Sequence, residues 1–121
     1  MKKIKVKIPM YDYDVTWLEI ESVQDKQKVF QEMKNLKCNK EDMNDVINDI
    51  ERECMNGGST FRNMDMKQFL VIIHPCKNEA MRRCVVNHEK RHIEDRLLQH
   101  CGVDDIEAAA YLAGFLSKYI Y

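Results

Sequence analysis

Residues 85–100 read VVNHEKRHIEDRLLQH, and inside that run His88, Glu89 and His92 form a His-Glu-x-x-His pattern. An α-helix turns about 100° per residue, so the two histidines lie about 40° apart on one face, where both imidazoles can bind a single ion. Glu89 sits about 60° round from His92. At that offset a carboxylate is poorly placed as a ligand but well placed to hydrogen-bond an activated water and take its proton. The bland alternative is two satisfied histidines at the edge of a core, one turn apart, with Glu89 a surface glutamate.

On the same wheel Met81, Val85, Val86, Ile93 and Leu97 share one arc of about 180° with the motif residues, while Arg83, Lys90, Arg91, Glu94 and Asp95 fill the opposite arc. The pattern predicts a helix with a wet, charged back and with histidines beside the core but open to a cleft.

A catalytic zinc site needs a third protein ligand and one open position. Asp95, His100, Cys101 and Glu107 follow the motif, and His74, Cys76 and Cys84 precede it. His100 lies eight residues beyond His92 without the glycine that an extended three-histidine pattern carries. Cys84 falls on the histidine side of the wheel, although a buried thiol suits it better.

Glu107 stands out because Ala108, Ala109 and Ala110 would let its helix approach closely, yet Asp104 and Glu107 also have the spacing of a capping box. Spacing alone leaves the two roles even. If the long helix ran unbroken to Gly102, His92 would lie about 15 Å below the turn and Glu107 about 5 Å into the next helix. Glu107 therefore requires an early helix end, near Leu98, with QHCGV as the turn.

The elements that must carry these residues are legible in outline. KKIKVKI alternates lysine with apolar residues as a half-buried strand does, Pro9 ends it, and YDVTWLEIES reads as a second strand. From Asp25 the period changes: Val29, Phe30, Met33 and Leu36 fit one helix, and Met43, Val46, Ile47 and Ile50 a second, capped by Asn39. NGGSTFRN offers a short strand and QFLVIIH another. A long helix follows from a cap near Asn78, then a last one from Asp104. The order predicts an α+β fold, one domain over 1–121.

Nineteen basic against twenty acidic residues, with 45% hydrophobic ones, argue against disorder and give no pull toward nucleic acid. No stretch reaches eighteen apolar residues, so no membrane span is expected. Five scattered cysteines without a Cys-x-x-Cys pair read as reduced, mostly buried thiols of a cytoplasmic protein.

Taken together, VVNHEKRH and the later IEAAAYLAG resemble the gluzincin branch of zincin-like metallopeptidases, and within it the very short metallopeptidases of phages and mobile elements. The resemblance covers about residues 57–121. It implies a minimal zincin-like domain: a small antiparallel or mixed sheet packed with the motif helix and a C-terminal glutamate helix. It further implies Zn2+ on His88, His92 and Glu107, Glu89 as general base, and Tyr111 as a residue that orients Glu107 or stabilises an oxyanion. The charged Lys90, Arg91, Glu94 and Asp95 depart from the usual small or apolar residues in and after the motif. With the sequence stopping at Tyr121, the subdomain that forms the far wall of the large gluzincin cleft is not expected.

Three functions follow: a small zinc-dependent peptidase acting on a peptide or protein substrate, a zinc-binding module of a mobile element without peptidase activity, or a metal-free interaction protein whose eight methionines form an adaptable surface.

Overall fold

The computed structural model describes residues 1–121 and is an α+β fold of four helices and one four-stranded mixed sheet. Strands β1 (Lys2–Ile8) and β2 (Tyr13–Glu19) form an antiparallel hairpin, helices α1 (Lys26–Asn35) and α2 (Lys40–Glu51) follow, and β3 (Gly58–Asn63) and β4 (Gln68–Ile73) form a second hairpin. Helices α3 (Glu79–His100) and α4 (Ile106–Tyr119) complete the chain. The sheet order is β1-β2-β4-β3, with β2 and β4 parallel at its centre.

The central strands are buried on both faces, which is why QFLVII reads as a continuous apolar run with no alternation. Phe69, Val71 and Ile73 face α3 and α4, together with Val15 and Trp17 of β2. Leu70 and Ile72 face α1 and α2, together with Leu18, Val29, Met33 and Val46. The sheet thus separates two cores, each closed by a pair of helices. Lys3, Lys5 and Lys7 stay exposed along β1, as their alternation predicts.

Asn39 caps α2 and Asn78 caps α3, each accepting a 2.8 Å bond from the backbone N–H three residues on, so both expected starts hold. The early end near Leu98 that Glu107 would require does not form. The helix continues to His100 because Gly102, at φ +68°, closes a Schellman turn: Gly102 N–H donates to Gln99 and Val103 N–H to Leu98. The last helix also begins later than expected, at Ile106, because Asp105 rather than Asp104 supplies the cap, its Oδ1 accepting from Glu107 N at 2.8 Å. Asp104 and Glu107 form no capping box.

The wet back of α3 needs a second correction. Arg83, Arg91 and Asp95 are exposed, but Lys90 and Glu94 are each only 7% exposed, because α4 packs on that side. Within this burial Lys90 donates to Ser117 Oγ at 3.3 Å and to Ile120 O at 3.1 Å. Burial pushes the Lys90 ammonium below its ordinary pKa and the Glu94 carboxyl above its own.

The cysteines also differ from expectation: Cys54, Cys84 and Cys101 are exposed, and Cys38 and Cys76 are half-buried. Phe30, expected on the buried face of α1, is 39% exposed.

Candidate metal centre

The motif spans the middle of α3, where Val85, Val86, Ile93 and Leu97 seat the helix on the sheet. This seating leaves His88 and His92 exposed on one flank and turns Glu89, 3% exposed, toward β3. The two imidazole planes stand at 85°, with their Nε2 atoms 3.1 Å apart. Two nitrogens each about 2.05 Å from one zinc show that separation at an angle of about 98°, close to tetrahedral. The same distance also allows one ring to donate an N–H to the other. A carboxylate oxygen of Glu89 joins them, the three ligand atoms all lying within 4.8 Å of one another. The group offers donor types that could hold a divalent cation.

Glu89 is held firmly. Thr60 Oγ1 donates to its Oε2 at 2.7 Å. Gly58 lies against its stem: a Cβ there would stand 3.0 Å from Glu89 Cγ, 3.0 Å from Ile73 Cδ1 and 3.1 Å from Ile72 O. Both contacts come from β3, whose even-numbered residues face α3, while Phe61 and Asn63 face α1 and α2.

The pair opens on a groove of about 500 Å³. β3 is its floor, α3 contributes His88, Glu89, His92 and Arg96 to one wall, and α2 contributes Asp42, Asp45 and Asp49 to the other. The floor is a free sheet edge. Ile20 N–H donates to Ile73 O and His74 N–H to Gly57 O, so odd residues of β4 face β2 and even ones face β3. In an antiparallel ladder this alternation leaves the backbone N–H and C=O of Gly58, Thr60 and Arg62 on the open side. The three aspartates make no ion pair, and neither do Arg62 and Arg96.

The other residues singled out in the sequence lie elsewhere. Glu107 and Tyr111 are both exposed on α4, Tyr111 by 64%, and neither lines the groove. With α3 extending to His100, the early end that Glu107 needs is missing, and α4 packs on the Lys90 flank of α3 instead of the histidine flank. Asp95 pairs with Arg91 at 3.0 Å, His100 stands edge-on to Tyr13, and Cys84 and Cys101 face solvent. Cys76 donates to His74 O. His74 is itself buried, its Nδ1 has no partner, and burial lowers its pKa, with Asp49 opposing.

Sequence reading missed Thr60 and the α2 aspartates. The aspartates were findable: Asp42, Asp45 and Asp49 recur at helical spacing beside the buried Val46 stripe, although such a stripe is ordinarily a solvated face. No protein-family model, curated protein or solved structure matches the chain.

Proposed function

We propose that the chain is a small zinc-dependent peptidase that binds an extended peptide along the free edge of β3. The observation that carries this reading is the His88–His92 pair, Nε2 to Nε2 at 3.1 Å with Glu89 in the same group, on the wall of a groove floored by an unpaired strand edge. The likeness of VVNHEKRH to the motif of short phage and mobile-element metallopeptidases supports it.

His88 and His92 would hold the ion, and Zn2+, when bound, supplies a water acidified toward neutrality and a Lewis acid for a carbonyl. The outward N–H and C=O groups of Gly58, Thr60 and Arg62 pair with the peptide backbone and set the scissile amide beside the histidines. Glu89 takes a proton from the attacking water and returns it to the leaving amine. Metal affinity falls as the histidines protonate, since neutral imidazole is the ligand. Glu107 and Tyr111 have no part in this arrangement.

One observation favours a second reading, a metal-binding module without peptidase activity: the only carboxylate grouped with the histidines is Glu89 itself, which would then be the third ligand rather than a base.

Elemental analysis of protein purified without chelators, beside the His88→Ala variant, tests the metal. One zinc per chain in the first and none in the second is expected, and no metal in either sinks both readings. Glu89→Gln then separates them: a base leaves zinc affinity within about threefold and abolishes cleavage, whereas a ligand weakens affinity about tenfold or more. Glu107→Ala is expected to leave zinc affinity unchanged.

A further inference from the structure

We propose that Thr60 is the positioning residue for Glu89 and ties this group to the free edge of β3. The inference rests on the reading of Glu89 as proton acceptor. The Glu89 stem passes so close to Gly58 that a Cβ there would stand 3.0 Å from its Cγ. At its tip Thr60 Oγ1 engages Oε2 at 2.7 Å, while Oε1 has no protein partner and is not sealed from the groove.

Thr60 is β-branched and lies on a paired strand, so the hydroxyl is fixed by the sheet rather than by a loop. The last torsion of a glutamate is otherwise broad, and a carboxylate free to turn beside two histidines becomes a ligand. Engaging Oε2 fixes the plane of the carboxylate and leaves Oε1 open to the groove for the water. The backbone groups of the same residue face the open edge, so a segment that pairs with Thr60 bonds to the residue that aims the base.

Thr60→Val removes the donor while keeping the shape, and Thr60→Ser keeps the donor. In the metal-free proteins, 13C NMR of the Glu89 carboxyl carbon is expected to give the same shift in the wild type and in Thr60→Ser, and a displaced one in Thr60→Val, where the hydroxyl donor is gone. A Glu89 carboxyl signal that does not move in Thr60→Val overturns the role, whether or not the protein cleaves peptides. Should Thr60→Val not fold, Thr60→Ala, which removes the donor without adding bulk, is read in the same way.

With Co2+ alone as probe, Thr60→Val is expected to show an altered visible spectrum, and the change should vanish in Thr60→Val/Glu89→Gln. An unchanged spectrum in Thr60→Val also overturns the proposal. If the wild type takes up no Co2+, the metal reading fails and the NMR comparison still decides the role of Thr60. Where cleavage is measured, Thr60→Val lowers kcat at least about tenfold at constant KM, and Thr60→Ser restores it.

Discussion

Glu89 is a charged side chain with a relative exposure of 3%, and a carboxylate that deep is tolerated only where something holds it. Here the holders are one hydroxyl and one missing methyl, Thr60 and Gly58. The missing methyl can be tested directly. In Gly58→Ala the new Cβ meets the backbone oxygen of Ile72, which cannot yield, as well as Glu89 Cγ and Ile73 Cδ1. A loss of about 1–3 kcal/mol is expected from urea denaturation. Part of that loss should return in the Glu89→Ala background, where the stem is gone; strict additivity of the two substitutions would show that they do not meet. The motif itself was plain in the sequence because helical geometry alone relates His88, Glu89 and His92. Thr60 was not, because 29 residues separate it from Glu89 and only the sheet brings them together.

At the scale of elements, the sequence indicated all four strands and four helices, and the interiors of the helices agree with their apolar spacing better than their ends do. The early end of α3 that Glu107 would require is absent, because the left-handed closure at Gly102 comes only after His100. Lys90 and Glu94 were assigned to water by charge, but which flank of α3 receives α4 is a tertiary fact that overrides the rule. The same docking choice decides that Glu107 stays away from the histidines.

A different element end gives a pH test. Asp25, at the entry to α1, accepts from Glu21 N at 2.8 Å and Ser22 N at 3.2 Å and lies 3.5 Å from the N-terminal ammonium. Burial raises its pKa, but these groups outweigh burial and hold it below its ordinary 3.8. The folded state therefore binds fewer protons than the unfolded one in that range, so the stabilisation is present above about pH 3.8 and is lost as pH falls through the depressed value. Asp25→Asn should cost about 1 kcal/mol at pH 7 in urea denaturation, and the difference from wild type should shrink in strong acid. A difference that persists unchanged there would show that charge is not involved.

For the molecule as a whole, a ligand that binds only the folded state stabilises it by mass action. Zn2+ at about a hundred times its dissociation constant adds about 2.7 kcal/mol, which for a chain of this size raises Tm by on the order of 10 °C. Calorimetry should show this rise in the wild type and none in His88→Ala; equal shifts in both would place the ion elsewhere. The whole-molecule picture also weakens the notion of a methionine-coated interaction surface, since only Met10 and Met55 among the eight methionines are exposed large hydrophobics. No helix is long and apolar enough to cross a membrane. The unpaired edge of β3 has a further consequence. An open strand edge is a template on which copies of a protein can stack into fibrils. Here it lies between α2 and α3, whose side chains wall the groove on both sides, so the two helices stand in the way of a second sheet edge and guard against aggregation.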